Sequence, residues 1–125
     1  MDWKLELVNV PVADVDRAKA FYAQKVGFNV DHDHTVNEQI RFVQLTPPGS
    51  ACSIALTSGV PAAAPGSLQG MQVVVADADA ARAELAGRGV EVSEVQEFPW
   101  GRFVFFSDPD GNGWAVQEIQ APRRA

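Results

Sequence analysis

From Leu5 to Val12 apolar and polar side chains alternate loosely, the period-two signature of a half-buried strand. Pro11 falls near its end, where a missing N–H is tolerable. Asp14 follows as an N-cap, with a carboxylate able to accept from the free N–H groups of a first helical turn. A helix is expected from Val15 to about Val26, stopped by Gly27. Three strands should come next, Phe28 to about His34, Ile40 to Thr46 and Cys52 to Thr57, separated by polar or Pro/Gly turns. The order is β-α-β-β-β. The second half predicts it again: a strand around Gln69 to Val75, an Asp77 cap, a helix to about Arg88 and a Gly89 stop. Strands are then expected at Val90 to Val95, Phe103 to Ser107 and Gly113 to Ile119.

The repetition is written in the residues themselves. The segment Val10 to Ala23 aligns with Val73 to Ala86 at an offset of 63, with eight of fourteen positions identical, both Asp residues among them. Arg41-Phe42-Val43 recurs as Arg102-Phe103-Val104 at an offset of 61, and each copy leads into a Pro- and Gly-containing turn. Module 1 is therefore placed at about 1–58 and module 2 at about 68–121, followed by a short tail. Between them lies a linker at about 59–67, largely covered by the Pro- and Gly-rich stretch from Thr57 to Gly66. Each module must bury one sheet face under its helix, leaving the other to line a shared cleft. The fold class is α+β, two tandem βαβββ modules forming a curved mixed sheet around a cleft.

Composition narrows the function classes. A chain of 125 residues, 46% hydrophobic, holds one compact core and too little for two ordinary independent domains. Sixteen acidic against ten basic residues give a net charge of −6, so no broad basic field exists for a phosphate backbone, and nucleic acid is not an expected partner. No apolar run approaches a membrane span and the N-terminus lacks a signal-peptide layout, so no membrane partner and a cytoplasmic location are expected. The lone Cys52 excludes an internal disulfide and a multi-cysteine zinc site; it reads as a buried small hydrophobe rather than a reactive thiol.

The doubled unit, with VxVADVDRAKAFYAQKVGF in front and WGRFVFFSDPDGNGWAVQE behind, resembles the vicinal oxygen chelate superfamily, the glyoxalase / bleomycin resistance / dioxygenase group. The resemblance covers nearly the whole chain and implies paired modules, often in a homodimer. It leaves the chemistry open, because this fold hosts isomerases, dioxygenases, thiol transferases and non-enzymatic drug binders. Enzymes of the group usually hold one divalent metal on four inward-facing strand positions. Carried onto this chain by distance from the motifs, those positions are Leu7, Gly70, Ala115 and Ala55, or Ser53 if the register shifts by two. They lack the carboxylate, imidazole or thiolate donors such a metal needs, so no metal and no cofactor are expected.

Two residues beyond those positions stand Asn9, Gln72, Gln117 and Thr57, on the same strand faces by the period of two. Leu7, Ala55, Gly70 and Ala115 would then form an apolar floor ringed by neutral hydrogen-bonding groups; the other reading turns these groups to solvent or neighbouring backbone. Trp100 is either an aromatic wall or a core or dimer-contact residue, while Trp114 should face the opposite way, toward a helix. Phe103 and Phe105 complete the candidate ligand-binding set. His32 and His34 would share one strand face, with Asp31 and Asp33 on the other, either as an exposed edge or as a base entering the cleft. Arg41 and Arg102 either grip a ligand carboxylate or pair with Glu38 and Glu97. Asp108, Asp110 and Asn112 read as a turn, and Arg123-Arg124 as a solvated tail.

The leading expectation is a metal-free protein that sequesters a hydrophobic or aromatic metabolite or antibiotic, with a small-molecule ligand and a second copy of the chain as partners. A glyoxalase-like lyase, isomerase or dioxygenase, metal-independent or with non-standard ligands, is the alternative; there His32, His34 or Glu118 would supply the base. A structural dimer with an occluded cleft is the third reading.

Overall fold

The computed structural model describes residues 1–38, 40–58 and 63–119. The first part of the expected linker, residues 59–62, and the Arg123-Arg124 tail lie outside them. Among the described residues no helix is long and apolar enough to cross a membrane. The chain divides into two compact units, one of Met1–Leu68 with Asp108–Asn112, the other of Gln69–Ser107 with the residues from Gly113 onward. Each carries a four-stranded mixed sheet with helical segments, an α+β architecture.

In the first unit β1 (Leu7–Pro11), α1 (Val15–Ala20), β2 (Asn29–Thr35), β3 (Arg41–Thr46) and β4 (Ser53–Ser58) form a sheet of order β1-β4-β3-β2. The first pair is parallel and the others antiparallel. Asp14 caps α1 as expected, its Oδ1 accepting from the Arg17 N–H at 3.1 Å. The expected single helix instead changes after Ala20 into a π-helical segment, Phe21–Val26. The wider turn admits two consecutive rings, Phe21 and Tyr22, into the core, edge to face at 5.2 Å, which a regular 3.6-residue period would separate by about 100°. Gly27, at φ 93°, stops it, as the sequence predicts. Val10, Val15, Ala18, Val43, Leu45, Ile54 and Leu56 make the core under α1. The opposite sheet face carries Asn9, Phe42, Gln44 and Ala55.

The turn Asp108–Asn112 belongs to this unit and is more than a chain reversal. Asp108 Oδ1 accepts from the N–H groups of Asp110, Gly111 and Asn112 at 2.9–3.0 Å. Its Oδ2 accepts from Tyr22 Oη at 2.7 Å and Asn112 Nδ2 at 2.8 Å. Asn112 also donates to the Pro11 carbonyl at 2.8 Å and accepts from the Leu68 N–H at 3.0 Å. Both Asp108 and Asn112 are buried, and every polar atom of their side chains is satisfied in this way.

In the second unit β5 (Met71–Val75), α2 (Ala78–Gly87), β6 (Gln96–Phe98), β7 (Gly101–Ser107) and β8 (Gly113–Glu118) give the order β5-β8-β7-β6. Asp77 caps α2 through the Ala80 N–H at 3.1 Å, the counterpart of Asp14. Trp114, Val116, Val104 and Phe106 are buried on the face that meets α2, so Trp114 does turn toward the helix, stacked on Phe106 at 5.9 Å. The strand expected at Val90 to Val95 is displaced to Gln96–Phe98, and Val92 makes only an isolated bridge to Phe106. The Phe105 N–H donates to Ser93 Oγ at 2.9 Å, and this side-chain acceptor replaces a rung of the ladder.

Equivalent arginines close the repeat. Arg41 reaches Asp16 and forks onto Asp33, with Nε–Oδ1 3.0 Å and Nη2–Oδ2 2.7 Å, rather than pairing with Glu38. Arg102 contacts Asp79 at 2.9 Å, Glu97 at 3.4 Å and Glu118 at 3.5 Å. Asp16 and Asp79 stand at the same repeat position. The Arg41 hydrogen bonds, with that of Lys19 (2.7 Å), hold the Asp33 carboxyl well below its usual range, and Asp33 in turn raises Arg41. The Asp79 hydrogen bond raises Arg102.

Candidate functional site

Strand alternation in the second unit sorts the aromatic side chains. Cross-strand partners Gln72↔Ala115, Phe105↔Ala115 and Phe103↔Gln117 place these five residues on the sheet face away from Trp114. The Pro99-Trp100 turn between β6 and β7 adds Trp100, and the last residue of β6 adds Phe98. Gln72, Phe98, Trp100, Phe103, Phe105 and Ala115 line a concavity of about 420 Å³, within the size range of small-molecule sites.

The rings come in parallel pairs. Phe98 and Trp100 lie 5.4 Å apart at 14°, Phe103 and Phe105 5.9 Å apart at 5°, and Phe98 meets Phe103 edge-on at 5.5 Å. Phe103 is buried, yet Trp100 stays 64% exposed and Phe105 37%. Exposed indole and phenyl faces aligned over an apolar floor are unusual on a surface that has only water to meet.

Two amides bound the floor. Gln72 Nε2 donates to Gln117 Oε1 at 2.6 Å, and Gln117 Nε2 donates to the Trp100 carbonyl at 3.1 Å. This relay ties the Trp100 turn to β8. Gly101 leaves the space it needs: a Cβ there would lie 2.6 Å from the Glu118 carbonyl oxygen and 3.1 Å from Gln117 Nε2.

Five of the candidate residues thus line one concavity, and Gln117 is bonded to it. Gly70, at φ 79°, precedes β5 and is not among the lining residues. Leu7, Asn9, Ala55 and Thr57 share one face of the first unit's sheet, through the pairs Leu7↔Ser53, Asn9↔Ala55 and Phe42↔Thr57. Phe98 was missed because its strand was expected earlier in the chain; its position two residues before Trp100 was the available signal.

The remaining reactive groups fall elsewhere. His32 and His34 lie on the exposed edge strand β2, sharing a face, with rings 5.7 Å apart at 21°. Asp31 does not join Asp33: a register shift between Val30 and His32 sets it beside Thr46 Oγ1. Glu118 faces α2, where Oε1 accepts the Ala78 N–H at 2.8 Å and helps to cap the helix. Cys52 is half-buried rather than fully buried, its Sγ 3.6 Å from the Ser53 carbonyl. A second concavity, in the first unit, is about 410 Å³ and polar; its Arg41 is already engaged by acidic partners.

The donor set at the metal positions does not fit a divalent ion. Leu7, Gly70, Ala55 and Ala115 have no side-chain lone pair, and the Ser53 hydroxyl is hydrogen-bonded to Thr46 at 2.6 Å. Among the described residues no group of three His, Cys, Asp or Glu side chains is placed to hold a metal.

The fold and the doubled motif place the chain in a family. The chain matches the Glyoxalase/Bleomycin resistance protein/Dioxygenase superfamily over residues 4–116 and belongs to it. It is similar to the crystal structure of TnmS3, an antibiotic binding protein from Streptomyces sp. CB03234, with 38% identity over 95% of this chain and 98% of that one and a TM-score of 0.87. A glyoxalase/bleomycin resistance protein from the same strain is 39% identical over 92% of this chain and all (100%) of that one, with a TM-score of 0.82. YetH of Bacillus subtilis (strain 168), an uncharacterized protein, is 30% identical over 115 residues, 89% of this chain and 94% of its own length.

Proposed function

We propose that this protein binds and sequesters a hydrophobic, planar aromatic small molecule, a metabolite or antibiotic, in the concavity of its second unit, without a metal. The observation that carries the reading is the alignment of exposed Trp100 with Phe98, and of Phe105 with Phe103, over the Ala115 floor. Parallel side-chain rings offer flat faces to a flat ligand, and each stacking contact adds about 0.5–1.5 kcal/mol beyond the area it buries. Sequestration asks for nothing further: a low dissociation constant removes the compound from solution. The missing donors at Leu7, Gly70, Ala55 and Ala115 support a metal-free mode. The likeness to an antibiotic binding protein at 38% identity supports the ligand class.

Titration of EDTA-dialysed protein with 1-methoxypyrene, followed by tryptophan quenching and calorimetry, tests the reading. Saturable one-to-one binding, weakened about tenfold in Trp100→Ala, is expected, a loss of about 1.4 kcal/mol. Absence of binding, or affinity that Trp100→Ala leaves unchanged, would contradict it.

A further inference from the structure

The relay behind the aromatic floor has a direction, and the direction selects the ligand. A backbone carbonyl can only accept, so the Gln117 amide must turn Nε2 toward the Trp100 oxygen, 3.1 Å away. Its Oε1 then points to Gln72 and must be met by a donor, Gln72 Nε2, at 2.6 Å. Flipping either amide would set two acceptors or two donors face to face. The outcome is that Gln72 Oε1 is left as an acceptor on an exposed residue lining the concavity, with no hydrogen bond to it among the described residues.

We infer that the concavity selects neutral planar arenes that carry a hydroxyl or N–H donor on their edge, and that Gln72 Oε1 is the acceptor that reads this group. The inference rests on the proposed arene-binding role and gives it a substrate class. The six lining residues include no cation, and a carboxylate brings no proton to Gln72, so arene carboxylates are disfavoured. Gln117 acts as a positioning residue: it spends both ends of its amide in orienting Gln72. Gly101 is the residue whose missing Cβ lets that amide reach the Trp100 carbonyl.

The test compares 1-hydroxypyrene with 1-methoxypyrene, which differ by one methyl group and by the donor. In a purely apolar pocket the ether binds more tightly, because burying a hydroxyl without a partner costs free energy. The inference predicts the reverse, about tenfold tighter binding of the phenol, with the ratio falling to one or below in Gln72→Met. Equal affinities in the wild-type protein, or a phenol preference that survives in Gln72→Met, would overturn the inference and leave the arene-binding role standing. Failure of both compounds to bind would instead remove that role, and the inference with it.

Discussion

Tyr22 Oη and Asp108 Oδ2 lie 2.7 Å apart, buried together, although 86 residues separate them in sequence. The same carboxylate organises its own turn through three backbone N–H groups, so Tyr22 grips a preformed acceptor. Tyr22→Phe should lower unfolding stability by about 1–3 kcal/mol, the cost of leaving a buried charged acceptor short of a donor. Asn112→Ala should cost at least as much, because it removes a donor from Asp108 Oδ2 and from the Pro11 carbonyl and takes the side-chain acceptor from the Leu68 N–H. Urea titration of both variants measures this; wild-type stability in either would show the network to be dispensable.

The fork of Arg41 on Asp33 makes a pH-dependent contribution. Hydrogen bonding lowers the folded-state carboxyl below its unfolded value of about 3.9, so the stabilisation is complete above that value and fades as pH falls toward the folded one. Asp33→Asn should therefore be about 1 kcal/mol less stable than wild type at neutral pH. The gap should narrow steadily below about pH 4. Urea melts across that range measure the gap; one that stays constant down to about pH 2 would assign the stability to packing instead.

Two glycines should respond in opposite directions. Gly101→Ala places a Cβ 2.6 Å from the Glu118 carbonyl oxygen and should destabilise by about 1–3 kcal/mol, with the Trp100 emission changed as its turn shifts. Gly87, in the last turn of α2, has nothing within 4 Å of a new Cβ and no positive φ. Gly87→Ala should gain about 0.4–1 kcal/mol by restricting the unfolded chain. Thermal melts of the two variants measure both effects; an unchanged midpoint in Gly101→Ala would contradict the constraint assigned to that position.

The doubled order of elements was legible in the sequence because its signals are local. Asp14 and Asp77 cap, Gly27 and Gly89 stop, and the strand period sorts Ala115 from Trp114. Features that depend on long-range pairing were not legible. Nothing near Asp108 announces Tyr22, and the turn motif alone reads as punctuation. Arg41 finds Asp33 across the β2–β3 ladder and Asp16 on α1, where sequence proximity favoured Glu38. Phe98 escaped because the strand pairing with β7 runs over Gln96–Phe98, later in the chain than the expected Val90 to Val95. The strand period puts Gln72 and Gln117 on one sheet face, but the bond between them, and hence its polarity, exists only once β5 and β8 pair in register.

The most direct test of the central claim is a map of backbone and side-chain amide shifts in isotope-labelled protein, titrated with 1-hydroxypyrene in the presence of EDTA. Saturating shifts should concentrate at the Gln72 and Gln117 side-chain amides, the Trp100 indole N–H and the backbone of Phe98, Phe103, Phe105 and Ala115. Shifts centred on the first unit's His32 and His34, or the absence of any saturating change, would contradict the assignment of this concavity as the metal-free binding site.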